Sequence, residues 1–316
     1  MSSASKQAHL DDEAARYRAG RRSTLFSVVV NIVLTATQLV AGVVAGSQAL
    51  VADGVHSLSD LVGDVIVLFA GQRSRKAPDH DHQYGHQRYE NAASLMLGAL
   101  LLGVGLVMLW NAVVKIEDPS LVPQVKTIAL WVAVGTLVAK EALFRYMLAV
   151  AQRIRSGMLI ANAWHARSDA ASSLVVAIGI GGNLLGYRML DPIAAMIVGF
   201  LVARMGWSFG WNALHDLMDR AADEDTLAGI HQTLDATPGV HAWHDLRTRK
   251  MGDGILVDVH LEIEGTLTVI EGHKIAMDAR RRLMEQHAVL NVMTHVDPVD
   301  TAAGLISRKA SRPARL

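Results

Sequence analysis

The chain contains no cysteine. Disulfides, thiolate zinc fingers, iron–sulfur clusters and thiol catalysis are excluded with it. Net charge is equally absent: Lys+Arg and Asp+Glu both number 30, so nothing in the balance argues for a nucleic-acid partner. Charged residues make up only 19% of the 316 positions, and apolar ones 51%. With a mean hydropathy of +0.26, the chain is neither disordered nor collagen-like. A soluble globule also fits poorly, because the apolar residues fall in long blocks. What the chain does have is 14 histidines, and their positions carry the functional reading.

The blocks read as membrane spans. No charged residue occurs from Ser23 to Ala52, and a span of the hydrocarbon core needs roughly 20 apolar residues. This run holds one helix, a tight turn near Gly46-Ser47 and the start of a second helix that continues through Ala70. Further spans are expected over about Tyr89–Val114, Ile128–Met147, Met158–Leu185 and Pro192–Trp211. Six spans put both termini on one side. The basic residues Lys6, Arg16, Arg18, Arg21, Arg22, Arg73, Arg75, Lys76, Arg88, Arg153 and Arg155 place that side in the cytoplasm. The first span is too long for a signal peptide and follows a charged arm. The expected division is a cytoplasmic arm over 1–22 and a six-helix transmembrane domain over 23–213. A cytoplasmic domain follows over 214–301, then a disordered tail over 302–316.

The cytoplasmic segment reads as α-β-β-α-β. Its helices are expected at Asp223–Leu234 and Thr268–Gln286, its strands at Val240–Lys250, Ile255–Ile263 and Val289–Val296. The first two strands are joined through Gly252-Asp253-Gly254. Leu256 to Ile263 alternates apolar and polar residues, as on a half-buried sheet. The order suggests a small α+β module of ferredoxin-like type. The stretch Ser307–Leu316 is polar and basic and is expected to be disordered.

Ionisable residues within a span are costly and point to function. His56 and Asp60 lie in the second span, His165 and Asp169 in the fifth. Both pairs are His-x-x-x-Asp, which puts the two side chains on one helix face a turn apart. A packing contact or an ion pair within the helix would explain one such pair. Identical spacing in two spans argues instead for a shared N2O2 set suited to tetrahedral Zn²⁺. Imidazole must be neutral to bind metal, so metal uptake releases protons, and the same residues could relay them. Asp64, one turn beyond Asp60 and nearer the cytoplasm, could line the entrance or pair with a cation such as Lys140, and pairing is expected rather than ligation. Lys140 and Glu141 are expected to satisfy groups inside the bundle.

Two other clusters stand out. The loop after the second span carries Asp79, His80, Asp81, His82 and His86. Spacing alone leaves metal binding and a merely solvated loop both open. The cytoplasmic segment carries His244, His260, His273, His295 and Asp297 on different elements, and the sequence does not show whether they converge. His231, His241 and His287 read as ordinary half-exposed residues.

Together these features resemble the cation diffusion facilitator family, especially its bacterial zinc/iron efflux branch. The likeness covers roughly residues 15 to 300. It rests on the six spans, the stretch Ala52-Asp53-Gly54-Val55-His56-Ser57-Leu58-Ser59-Asp60, the pair His165/Asp169, the loop His82-Gln83-Tyr84-Gly85-His86 and the segment His244-Asp245-Leu246-Arg247-Thr248-Arg249. The resemblance implies a homodimeric transporter, not an enzyme. It would export divalent metal across the cytoplasmic membrane against protons by alternating access, with Zn²⁺ as cargo. It assigns His56, Asp60, His165 and Asp169 to the transport site and Asp79, His82 and His86 to a loop site. His244, His260, His273, His295 and Asp297 match a binuclear cytoplasmic site that helps hold two tails together. Arg88 and Asp219 match an interlocking salt bridge, with Arg88 in place of the branch's lysine. His56 stands where members of the branch often carry Asp. Imidazole suits zinc over Mg²⁺ and Mn²⁺ but also accepts Fe²⁺, Co²⁺ or Cd²⁺. Export of one of those ions is the nearest alternative, and a metal-sensing membrane scaffold that moves nothing is another. A zinc hydrolase fits poorly, because four protein ligands leave no position for water.

Overall fold

The computed structural model describes residues 3–154, 157–252 and 254–299. Among them run α1 (Ser3–Ala45), α2 (Gln48–Ser74), α3 (Arg88–Glu117), α4 (Thr127–Arg153), α5 (Gly157–Leu184) and α6 (Leu190–Leu217). Then follow α7 (Glu224–Asp235), β1 (Ala242–Met251), β2 (Gly254–Glu264), α8 (Val269–Gln286) and β3 (Val289–Val299). The six long helices match the expected spans. Of these, α1 from Arg22, α2, α3, α4 and α6 are long and apolar enough to cross a membrane by length and composition. α5 has 28 residues and carries the charged group expected of the fifth span. Residues 3–22 of the expected N-terminal arm are helical and run on into the first span within α1. The stretch 307–316 lies outside the described residues, as does Asp253 in the expected turn.

The chain forms two compact units. One comprises Met1–Ile66 with Leu97–Ser208, the other Val67–Met96 with Phe209–Leu316.

In the first unit the core is built largely from small side chains. Ala45, Ala49, Ala129, Ala133, Ala194 and Ala195 are buried around Leu50, Leu101, Val176, Ile180, Val198 and Val202. Small residues let helices approach closely where lipid supplies no hydrophobic drive between them. At Gly206 of α6, an added Cβ would lie 2.3 Å from the Leu102 nitrogen of α3. The α1–α2 turn needs Gly46, whose φ of +71° is left-handed. Its residues close back on the helix, with Ser47 N donating to Gly42 O at 3.0 Å.

The start of α2 is held from a distant part of the chain. Asp191, in the first turn of α6, is 1% exposed. Its carboxylate accepts from Ser47 Oγ at 2.6 Å and from the backbone nitrogens of Gln48 at 2.8 Å and Ala49 at 3.4 Å. The first N–H groups of a helix have no partner within it. Here α6 supplies one, which fixes the helix that carries His56 and Asp60.

In the second unit the sheet order is β1-β2-β3, with β1/β2 antiparallel and β2/β3 parallel. α8 makes the crossover that a parallel pair requires. The alternation read in β2 holds: Val257, Val259, Leu261 and Ile263 are buried, while Asp258, His260 and Glu262 are not. The buried face packs with Ile230 and Leu234 of α7 and Ala279 and Leu283 of α8. α7 starts at the N-cap Asp223, whose side chain accepts from Thr226 N at 2.9 Å. α8 starts at a reciprocal capping box between Thr268 and Glu271. The polar face of the sheet is left for chemistry.

Replacing Asp191 with alanine strands two backbone donors and a buried hydroxyl. A loss of about 1–3 kcal/mol is expected for an unsatisfied buried group, read as a lower thermal midpoint of the detergent-solubilised protein. Ser47→Ala should lower it less, and an unchanged midpoint in Asp191→Ala would show that α2 is not held by this cap.

Candidate metal centres

His56 and Asp60 sit on α2, one turn apart as their spacing requires. His56 Nδ1 lies 3.5 Å from Asp60 Oδ2, and His56 Nε2 lies 4.0 Å from Asp169 Oδ1 of α5. One donor atom from each of His56, Asp60 and Asp169 falls within 4.8 Å of the others. His56 is buried, and its Nδ1 has no hydrogen-bond partner among the described residues. A small cavity of about 40 Å³ adjoins the group, lined in part by Asp60, Asp64, Lys140 and Asp169. It is large enough for about one water. One imidazole nitrogen and two carboxylates at this separation could close on a single divalent ion.

His165 does not join them. It is exposed on α5, one turn from Asp169, and its nitrogens lie outside the group. The expected quartet is therefore a converged trio with a fourth side chain nearby.

The partner of Lys140 also differs from expectation. Its ammonium lies 3.5 Å from Asp53 Oδ1, and it donates to Ser173 Oγ at 2.8 Å and Ser57 Oγ at 3.3 Å. Asp53 is 1% exposed, whereas Asp64 is exposed and lines the cavity beside Asp60. Asp53 also accepts from Ser173 Oγ at 2.6 Å, from Ser172 Oγ at 3.2 Å and from Gln38 Nε2. The backbone oxygen of Asp169, 2.8 and 3.2 Å from the two hydroxyls, is the alternative acceptor for the single proton of each. Asp53 thus ties α1, α2, α4 and α5 together beside the trio. A sequence signal existed: positions 53, 56, 60 and 64 recur at i, i+3, i+7 and i+11, a single helix face. Glu141 is bound outside this network, accepting from Arg145 Nε at 2.8 Å on its own helix.

The loop residues do converge. Asp79 Oδ1 accepts from His82 N at 2.9 Å and lies 3.3 Å from His82 Nδ1, while Asp79 Oδ2 lies 3.4 Å from His86 Nε2. The turn is closed by Gly85, at φ +88°, which donates to His82 O at 3.0 Å. His86 is buried and its Nδ1 has no hydrogen-bond partner among the described residues. Lys76 Nζ donates to Asp79 Oδ2 at 2.5 Å. That bond, with those from His82, holds the Asp79 carboxyl well below the usual carboxylate range. The carboxylate is ready as a ligand at neutral pH but is shared with a competing ammonium. His80 and Asp81 pair with each other in the open at 3.3 Å.

On the sheet, register places His244, His260 and His295 side by side across β1, β2 and β3. Their rings succeed one another at centroid distances of 5.0 and 4.6 Å. Asp297 serves all three: Oδ2 lies 2.9 Å from His260 Nδ1 and 3.2 Å from His244 Nε2, and Oδ1 lies 3.3 Å from His295 Nε2. Two acids missed by the sequence reading complete the patch. Glu262 lies opposite Asp297 in register, with Oε1 3.8 Å from His244 Nε2. Asp245, in the left-handed region at φ +48°, has Oδ2 3.7 Å from His244 Nδ1. Two overlapping donor groups result, His244/Asp245/His260 and His260/His295/Asp297. His273 is exposed on α8 and belongs to neither. Arg88 and Asp219 do meet, with Nη2 to Oδ1 at 2.5 Å. Asp219 takes a left-handed φ of +60° just past α6, and the bond ties that turn to the first residue of α3.

Known proteins resemble the chain over both units. Residues 24–218 match the model of the cation efflux transmembrane domain, and residues 222–299 that of the cation efflux protein cytoplasmic domain. The chain is 32% identical over 288 residues to the manganese efflux system protein MneS of Bacillus subtilis, covering 90% of this chain and 97% of that one. It is 33% identical over 281 residues to the magnetosome protein MamB of a Magnetospira strain, covering 87% and 94%. It is 31% identical over 294 residues to metal tolerance protein C1 of Arabidopsis thaliana, covering 88% of this chain and 62% of that longer one.

Two measurements follow from the networks. Asp53→Ala leaves a buried ammonium without its carboxylate, and breaking such a pair costs about 3–5 kcal/mol. Replacing both partners, as Asp53→Leu with Lys140→Met, should recover most of the lost thermal midpoint. A double variant no more stable than Asp53→Ala would show that the two do not act as a pair. In the loop, Lys76→Gln frees Asp79 Oδ2 and should tighten zinc binding several-fold. Calorimetric titration in an Asp60→Ala, His260→Ala background, which breaks the bundle trio and both sheet groups, reads this site alone.

Proposed function

We propose that this chain, which belongs to the cation diffusion facilitator family and so is a membrane exporter of divalent metal cations rather than an enzyme, carries Zn²⁺ in exchange for protons. The observation that supports zinc is the buried imidazole of His56 facing two carboxylates across α2 and α5. Zinc accepts nitrogen and oxygen together, whereas Mg²⁺ and Mn²⁺ prefer oxygen.

In this reading Zn²⁺ enters from the cytoplasm and loses water as His56, Asp60 and Asp169 replace it. His165 stands one turn away and turns in as the fourth ligand, or a water keeps that position. The bundle reorients, and protons at the far side compete for the same imidazole and carboxylates. The chain spans the cytoplasmic membrane with both termini inside, and it works as a homodimer. The loop trio and the sheet patch bind further metal, which tunes export to the cytoplasmic supply. In the dimer His273 is available to the patch of the second copy.

A second reading has its own support. Two of the three converged donors are carboxylates, an oxygen-rich set that a harder ion tolerates. One similar protein bears the name of a manganese efflux system. Fe²⁺, Co²⁺ and Cd²⁺ are further candidates with the same donors.

Flux into proteoliposomes under an imposed pH gradient tests both readings. Saturable, proton-dependent zinc flux is expected from wild type, and Asp60→Ala and Asp169→Ala should each abolish it. His56→Asp should shift preference from zinc toward manganese. Manganese flux exceeding zinc flux in wild type would overturn the zinc assignment, and zinc binding without any flux would leave a sensor rather than a transporter.

A further inference from the structure

Arg167 is a cation in the bundle with no carboxylate partner among the described residues. Arg167 lies on α5 midway between His165 and Asp169, roughly 200° around the helix from each. It therefore leaves the helix on the side away from the metal ligands. Its guanidinium packs over the rings of Phe144 at 5.0 Å and Trp164 at 5.1 Å. There it lines an open groove of about 650 Å³ between α4 and α5. The groove is apolar along Leu137, Val138 and Leu174, and it holds a second guanidinium at Arg145. Arg145 spends only Nε on Glu141, and its side chain is 76% exposed.

The depth of these cations identifies what surrounds them. The tail that follows α6 is cytoplasmic, so with alternating spans α4 ends and α5 begins at the cytoplasmic face. Arg167 lies roughly 15 Å along α5 from Gly157, and Arg145 roughly 12 Å along α4 from Arg153. A helix of 28 residues overruns the ~30 Å hydrocarbon core by several ångströms at each end. Both guanidinium groups thus hang from helix backbone inside the hydrocarbon, within reach of the headgroup level by snorkelling. They need an anion there, and Glu141 answers only one of the two charges. Guanidinium matches phosphate in a planar, two-pronged fashion.

We propose that the α4–α5 groove binds an anionic phospholipid of the cytoplasmic leaflet. Its phosphate lies on Arg167 and Arg145, and an acyl chain lies along Leu137, Val138 and Leu174. The lipid then bears on the face of α5 opposite Asp169, so leaflet composition reaches the helix that carries the metal ligand.

The test is binding rather than transport, so it stands or falls separately from the zinc reading. Purified full-length protein is titrated with phosphatidylglycerol or phosphatidylcholine and examined by native mass spectrometry. Wild type should retain phosphatidylglycerol in preference to phosphatidylcholine. Arg167→Gln should lose that preference several-fold, Arg167→Lys should keep part of it, and Arg145→Gln should weaken it. Arg145→Gln alters an exposed side chain and remains informative where Arg167→Gln does not fold. Equal retention of the two lipids by wild type, or of phosphatidylglycerol by wild type and by both glutamine variants, would overturn the proposal. So would displacement of the lipid by millimolar inorganic phosphate, which would mark a soluble-anion site instead.

Discussion

A carboxylate carried into a bilayer needs a counter-cation, because the surrounding medium cannot solvate it. The first unit places Asp53, Asp60 and Asp169 close together, and Lys140 is the ammonium that reaches them. Lys140 is committed to Asp53 and to the serines beside it. That leaves the carboxylates of Asp60 and Asp169 without an ammonium of their own and with an imidazole beside them, a donor set for a divalent ion. The resident cation thus removes one acid from the site and defines the charge of what remains. Were Lys140 instead paired with Asp64, as spacing alone suggested, the buried Asp53 would be left uncompensated beside His56.

The scaffold around this charge arrangement is built for registration. Asp53 binds α1, α2, α4 and α5 through hydrogen bonds, and Asp191 of α6 caps the first turn of α2. The part of α2 that leads into His56 is therefore tied at two points by polar contacts, not only by packing. Alanine and glycine at the helix contacts then allow the close approach that such short bonds demand. Hydrogen bonds of this kind have discrete alternatives, whereas an apolar interface between lipid-bathed helices slides. That property suits the proposed alternation of the bundle between two arrangements.

How much of this was legible in the sequence depends on the range of the interaction. The cytoplasmic module could be read almost element by element, since alternation in β2 and capping residues at Asp223 and Thr268 are local signals. The pairing of His56 with Asp60 was equally local. Convergence of Asp169 with them required two helices to face each other, and the repeated His-x-x-x-Asp spacing announced it. His165 stands outside the trio because spacing fixes a helix face but not the depth at which two helices cross. The ion partner of Lys140 was missed for that reason too: Asp53 and Asp64 share one face of α2, and only the register between α2 and α4 separates them. Glu262 and Asp245 were invisible because their roles come from strand register and from a left-handed residue at a bulge.

The sheet patch shows what register can build from residues that are unremarkable singly. A histidine on a half-buried strand is ordinary. Three in one row across β1, β2 and β3, with Asp297 reaching each, concentrate imidazole nitrogen on the face that the α7–α8 core leaves open. A rigid sheet holds these donors at fixed spacing, whereas the trio in the bundle draws on two separate helices. The two kinds of site thus differ in a physical way. Donors on one sheet keep their separation when the chain moves, so they suit retention. Donors split between α2 and α5 part as soon as those helices shift, so they suit release. A transporter needs the second property at the point of transit and can use the first only elsewhere, and the proposed assignment of the bundle trio to transit and of the sheet patch to retention follows that division.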